Sequence, residues 1–356
     1  CVGAAGGMGR GHTVFQYTLD RAVLQAADRD QTQTPSAVVL DYLTKSGLSE
    51  YYSTPTSDIG LGYRRVTSTI NTEFDTHFMN LTGVGDIPMY ASATAEESID
   101  GLEISLVLDV SGSMNSNNRI TNLKVAAKDF IDTMVANTTD GKLSISIIPY
   151  ATQVSASAEL FDQFTVSNEH EYSNCVNFEQ ADFNSTSMST TDELERTMHF
   201  SPWYEYDTRG DSDGDLVPYP VCSDLQSREM LVFQKSADTL KAFIQNLTAW
   251  GNTSIDVGMK WGTGLLDPST QPAIHALTLG TGATVPSEFS VRPSSYTDAD
   301  TLKIVVLMTD GQNTSQYYIE DGYRNGLTDV WYDVASDRYS VRKNSYSYFW
   351  PRKGKY

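Results

Sequence analysis

The chain opens on a small, apolar stretch, "CVGAAGGMG", and runs into "VFQYTLDRAVLQAADRD". There Phe15, Leu19, Ala22, Val23, Ala26 and Ala27 recur at helical spacing, while Asp20, Arg21, Asp28 and Arg29 fall elsewhere on the surface. That spacing predicts an amphipathic helix. "SAVVLDYLTKSG" predicts a second, shorter one, capped by Ser36 after Pro35 and ended by Gly47. The period then changes. "YRRVTSTINTEF" and "IPMYASATAEES" alternate and are rich in small and β-branched residues, as strands with one covered face are. Together these elements predict a small α+β unit over 12–99.

A different pattern begins near residue 101. Residues 103–109 are almost continuously apolar, the signature of a strand covered on both faces. An amphipathic helix follows, with Ile120, Leu123, Ala127, Phe130, Ile131 and Met134 on one stripe. "KLSISIIPY" predicts the next strand. "SADTLKAFIQNLTAW" predicts a helix with Leu240, Phe243, Ile244 and Leu247 on one side. Another helix after "GNT" carries Ile255, Met259 and Leu266, and "LKIVVLMTD" predicts a third buried strand. Strands alternating with helices predict an α/β fold, a doubly wound and mostly parallel sheet.

Two stretches break the alternation. Residues from about 151 to 232 separate a strand from its following helix, far more than such a connection needs, and predict an inserted subdomain. Between Glu159 and Glu229 stand sixteen acids against three arginines and no lysine, so the insertion is an acidic one. The last stretch, about 317–356, has no acid after Asp337. It interleaves Arg338, Arg342, Lys343, Arg352, Lys353 and Lys355 with tyrosines, Phe349 and Trp350. Such interleaving can bind single-stranded nucleic acid. A chain with 45 acids, 25 bases and a formal charge of −20 is poorly suited to a polyanion. A neutralising contact with the acidic insertion is the cheaper reading, and no nucleic-acid partner is expected.

The strand ends carry the chemistry. "DVSGSM" follows the first strand of the sheet, "GNTSIDVG" precedes a helix, and "LMTDGQNT" ends the third strand. Ligands of doubly wound sheets bind outside the carboxyl ends of the strands. Asp109, Ser111, Ser113, Thr253 and Asp310 can therefore meet although about 200 residues separate the first from the last. All five offer oxygen, which suits a hard divalent cation, Mg²⁺ or alternatively Mn²⁺ or Ca²⁺. Two carboxylates and three hydroxyls leave room for a carboxylate from outside. The plain alternative is that the serines and Thr253 cap helices and that Asp310 begins a turn.

D-x-S-x-S, a separate threonine and a later aspartate after an apolar strand resemble the metal-ion-dependent adhesion site of von Willebrand factor A domains. "LDRAVLQAADRD", and "INTEFDTHFMNLTGVGDIPMYASATAEE" running into that domain, resemble TadG-like proteins of bacterial tight-adherence (Tad/Flp) pili. The resemblance covers roughly 1–150 and 236–315. It implies the end of an N-terminal membrane helix over 1–11, a TadE/pilin-like unit over 12–99 and an A domain over 101–356. It also implies a non-enzymatic adhesion or assembly component of the cell envelope. Such a component is inner-membrane anchored with its A domain in the periplasm, or pilus-associated. Its partners would be pilins, other Tad components or a surface receptor. A-domain sheets have further strands after the element ending at Asp310, and no apolar strand stands out after residue 315. The expectation is that the domain continues beyond Tyr356.

Other features are weaker. "DTRGDSDGDL" offers Asp207, Asp211, Asp213 and Asp215 as a second, calcium-type site, but Leu216 and Cys222 stand where an EF-hand needs glycine and glutamate. Cys175 and Cys222 bracket part of the insertion; they pair as a disulfide, which fits an oxidising compartment, or stand as two buried thiols. "GAAGGMG" reads as a membrane-helix remnant, with a lipid-modified Cys1 or an arbitrary cut as alternatives. Six N-x-S/T sequons, at Asn80, Asn137, Asn184, Asn246, Asn252 and Asn313, raise a secreted glycoprotein as a rival, though glycans on Asn252 and Asn313 would crowd the strand-end cluster. An intracellular A-domain partner of an ATPase is a further alternative. The five histidines show no metal spacing, and neither G-x-S-x-G nor a phosphate-binding loop is present, so no enzyme is expected.

Overall fold

The computed structural model describes residues 2–60, 62–74, 87–98, 101–203, 217, 219–344 and 347–349. The chain divides into two compact units, Cys1–Asp100 and Gly101–Tyr356.

In the first unit α1 (Val2–Ala27) is one continuous helix, longer than the periodic stretch that predicted it. No helix among the described residues is long and apolar enough to cross a membrane. Helix α2 (Pro35–Lys45) follows, and its cap is Thr34 rather than Ser36. Pro35 takes the first helical position, where its missing N–H costs nothing, so the cap lies two residues upstream of the expected Ser36. Strands β1 (Thr56–Gly60), β2 (Tyr63–Phe74) and β3 (Ile87–Ser98) form an antiparallel sheet in that order. Their alternation turns Val66, Ile70, Met89, Ala91 and Ala93 toward Leu19, Val23 and Val39 of the helices.

The second unit is mixed α/β. Its elements in order are β4 (Gly101–Asp109), α3 (Arg119–Ala136), β5 (Leu143–Tyr150), α4 (Ala158–Phe161), β6 (Val176–Asn177), β7 (Glu195–Arg196) and β8 (Leu231–Gln234). Then come α5 (Ala237–Asn246), α6 (Ile255–Gly264), α7 (Gln271–Leu277) and β9 (Thr301–Met308). The main sheet has the order β8-β5-β4-β9. Strands β4, β5 and β9 are parallel, with Leu102 opposite both Leu143 and Leu302. Strand β8 adds an antiparallel edge, so the sheet is mixed. Strands β4 and β5 are buried at every position, which is why they read as apolar runs.

Strand β9 corrects one expectation. It is half-buried along most of its length, and Leu307 is exposed, because β9 is the other edge of the sheet among the described residues. Nor is the stretch after residue 315 without strands. Strands β10 (Val330–Asp333), β11 (Arg338–Asn344) and β12 (Ser347–Phe349) form a small antiparallel sheet of their own. Trp331, Tyr332 and Val330 of β10 are exposed, so its pairing lacks the buried face that an apolar pattern reveals.

Helix α6 packs across β4 and β5 and presents glycine to them. A Cβ on Gly258 would lie 2.8 Å from the Tyr150 ring, and one on Gly262 would overlap Val107. The insertion is held by short bridges, by a disulfide between Cys175 and Cys222, and by Arg324, whose guanidinium meets Glu169 at 2.7 Å and Glu195 at 2.9 Å.

Candidate functional site

The site is assembled at the carboxyl ends of β4 and β9. Strand β4 lies between β5 and β9, and ligands of parallel α/β sheets bind outside the carboxyl ends of the strands. Asp109 is its last residue, opposite Tyr150 of β5. The carboxylate is wholly buried. One oxygen accepts from the Ser111 backbone N–H and the other from Thr309 Oγ1, both at 2.8 Å. The Tyr150 hydroxyl, also buried, meets no partner in hydrogen-bond geometry. Burial, with the Asp109 carboxylate nearby, pushes it well above the ordinary phenol range, so it stays protonated.

The chain then makes a short 3₁₀ turn, Gly112–Asn115. Ser111 precedes that turn without capping it. Its hydroxyl lies 3.1 Å from that of Ser113, which donates to Asp310 Oδ1 at 2.8 Å. Since Ser113 spends its proton on Asp310, Ser111 donates to Ser113. The other oxygen of Asp310 takes Arg119 Nη1 at 2.6 Å, and the Asp310 side chain is only 8% exposed.

The third segment arrives through the backbone. Gly251 accepts from Gly112 N–H at 2.9 Å, and Trp250 N–H donates to Val110 O. Gly251 has φ of +92°, a left-handed turn that brings the 250–253 loop against the serine turn. Thr253 is held by its backbone: its N–H donates to Thr314 Oγ1 and its carbonyl accepts from Thr314 N–H, both at 2.9 Å. The Thr253 hydroxyl takes no partner among the described residues and caps nothing, although the residue is 5% exposed. Helix α6 is capped instead by Asn313, whose Oδ1 accepts from Ile255 N–H at 2.8 Å.

Asp109, Ser111, Ser113 and Asp310 therefore form one hydrogen-bonded constellation, with Thr253 tied to it through Gly251. None of the three hydroxyls caps a helix. The donor set fits a hard cation: two carboxylates, two serine hydroxyls and one unengaged threonine hydroxyl. No three His, Cys, Asp or Glu side chains converge among the described residues, and this site, rich in hydroxyls, is not of that kind. The second expected site, Asp207, Asp211, Asp213 and Asp215, lies outside the described residues.

Sequence reasoning missed Arg119, Thr309, Tyr150 and Thr314. Each is an ordinary strand, helix or loop residue until the fold places it. Beside the site, Trp203, Tyr219, Trp250, Gly251 and Asn252 line an open cavity of about 290 Å³. Asn252 Nδ2 donates to Ser315 O at 3.2 Å.

No protein-family profile and no curated protein matches the chain. Among solved structures it is similar to the pilus adhesin SpaC from Lactobacillus rhamnosus GG, open conformation, at 12% identity and TM-score 0.26, over 83% of this chain and 22% of that one. The pilus adhesin RrgA from Streptococcus pneumoniae matches at 13% identity and TM-score 0.26, over 73% of this chain and 25% of that one. The adhesive tip pilin GBS104 from Group B Streptococcus agalactiae matches at 14% identity and TM-score 0.25, over 73% and 35%. The chain thus spans about a third or less of each adhesin, and at these scores the likeness carries neither fold nor function.

Proposed function

We propose that this protein is a non-enzymatic, cation-dependent adhesion or assembly component of a bacterial Tad/Flp pilus, built on a von Willebrand factor A-type domain. The observation that carries the reading is the convergence of Asp109, Ser111, Ser113 and Asp310 within hydrogen-bond reach, beside a Thr253 hydroxyl with no partner among the described residues. Asp109, Ser111, Ser113, Thr253 and Asp310 would hold a divalent cation, Mg²⁺ in the first instance. A cation bound there supplies a coordination position that a partner's carboxylate completes. The residues of the chain do the rest. Thr309 and the Ser111 N–H orient the Asp109 carboxylate, and the Gly251 turn holds the Thr253 loop against the serines. Tyr150 stays a neutral neighbour beneath Asp109.

The site belongs to the cell envelope in this reading, anchored in the inner membrane or carried on the pilus. The Cys175–Cys222 disulfide supports an oxidising compartment and counts against an intracellular ATPase partner. Calorimetric titration with MgCl₂ and MnCl₂ alone tests the reading. Wild-type protein is expected to bind one cation, and Asp109→Asn to bind none while keeping its circular dichroism. A wild type that takes up no cation overturns it.

A further inference from the structure

Every carboxylate oxygen of the site has a partner within the fold. Asp109 takes the Ser111 N–H and the Thr309 hydroxyl; Asp310 takes Ser113 and Arg119. Of these four partners only Arg119 brings a charge. Its place is unusual. Asn117 and Asn118, immediately before it, both have left-handed backbones, with φ of 53° and 58°. Asn tolerates that region better than other non-glycine residues, but two in a row are costly and mark a constrained segment. Arg119 is then the first residue of α3, whose first turn carries no acid. A cation at a helix N-terminus opposes the helix dipole. Strain and dipole both work against this placement, and the ion pair with Asp310 is what offsets them.

We infer that Arg119 is the internal counter-ion of the cation site: it holds Asp310 Oδ2 at 2.6 Å and yields that oxygen when a divalent cation binds. The inference rests on the proposed cation site and adds its regulation. Arg119 lowers the affinity of the site, so that the cation is held only where it is abundant. Arg119 is suited to moving, because its side chain is 40% exposed while that of Asp310 is nearly enclosed.

Calorimetric titration of wild type, Arg119→Gln and Asp109→Asn with MgCl₂ and MnCl₂, at fixed ionic strength, tests this. Removing one positive charge a few ångströms from the cation should tighten binding about tenfold or more. Equal or weaker binding by Arg119→Gln, with wild type still binding, overturns the counter-ion role and leaves the cation site standing. Failure of both wild type and Arg119→Gln to bind overturns both. A second measurement needs no stable variant. The arginine side-chain N–H signals of ¹³C,¹⁵N-labelled wild type are followed during Mg²⁺ titration, with the Arg119 signal assigned by correlating its side chain with its own backbone amide. Movement of that signal with cation occupancy supports release from Asp310; an unmoved signal at saturation overturns it.

Discussion

At the scale of single residues, the candidate site shows how little separates a structural oxygen from a ligand. Asp109 is buried and doubly hydrogen-bonded, which alone would describe an ordinary strand-end aspartate. What distinguishes it is the company of two serines that cap no helix and a threonine hydroxyl with no partner among the described residues. Ser113→Ala removes the donor to Asp310 Oδ1 but leaves an exposed position. It should cost no more than about 1 kcal/mol of stability, as a lost hydrogen bond does, while weakening Mg²⁺ binding strongly. Paired denaturation and titration experiments separate the two effects. Glu103 makes the contrasting case. It is wholly buried in β4, pairs with Lys303 at 2.8 Å and accepts from Ser294 N–H. Lys303→Met leaves that carboxylate only the Ser294 N–H and the more distant Arg292 guanidinium, at 4.0 Å, and should destabilise the unit by up to roughly 3–5 kcal/mol, read from urea unfolding.

At the scale of elements, α6 is fixed by what it lacks. Gly258→Ala places a methyl against the Tyr150 ring, so overpacking of roughly 1–3 kcal/mol is expected in thermal or urea melts. The insertion depends on different chemistry. Opening the Cys175–Cys222 disulfide, by Cys175→Ser with Cys222→Ser, should cost about 2–5 kcal/mol, checked by comparing melts of wild type and variant. Its histidines set a pH dependence. Burial, aided by the Arg196 and Arg324 charges, holds His170 below its ordinary value, and burial with the nearby His170 does the same for His199. For both, the unfolded chain binds a proton at higher pH than the folded one. Stability is therefore full above the ordinary histidine range and falls as pH drops through it toward the lowered folded values. Glu169 adds a second stage. Burial pushes its pKa up, but hydrogen bonds from Ser167 and Arg324 outweigh that and hold it low. Its contribution is present above the ordinary carboxylate range and is lost as pH falls through the folded value. Protection of the amides in 158–200, from hydrogen exchange corrected for its intrinsic pH dependence, should fall first as pH drops through the ordinary histidine range and again below the ordinary carboxylate range. Protection that stays constant across those ranges would contradict both assignments.

At the scale of the whole molecule, the two compact units predict a separable response. A cation that binds only the folded second unit stabilises it by mass action, roughly 2.7 kcal/mol at a free concentration 100 times Kd. Calorimetric scans with and without Mg²⁺ should move the transition of Gly101–Tyr356 and leave that of Cys1–Asp100 in place. The acidity of the chain, −20 overall, favours cations near the surface but assigns them no position.

The division between what sequence and tertiary structure decide follows from the range of the forces. Periodicity is local, so β2, β3, β4, β5 and most of α3 were legible residue by residue, and so was the placing of Asp109, Ser111 and Asp310 at strand ends. The expectation of a mostly parallel sheet reached three of its four strands. It missed the antiparallel β8, whose four residues are too few to show a period. It missed the exposure of β9, because an edge strand and a central strand can carry the same apolar run, and only the neighbours decide which face is covered. The sheet of β10 to β12 escaped for a related reason: β10 is exposed along its length, so it carries no covered-face pattern. Arg119 was invisible for the strongest reason. Nothing in "NNRITNL" shows that a base at a helix start lies against an aspartate 191 positions away. Sequence alone supplied the oxygens. The packing of β9 beside β4 decided which of them meet, and which charge stands between them and a cation.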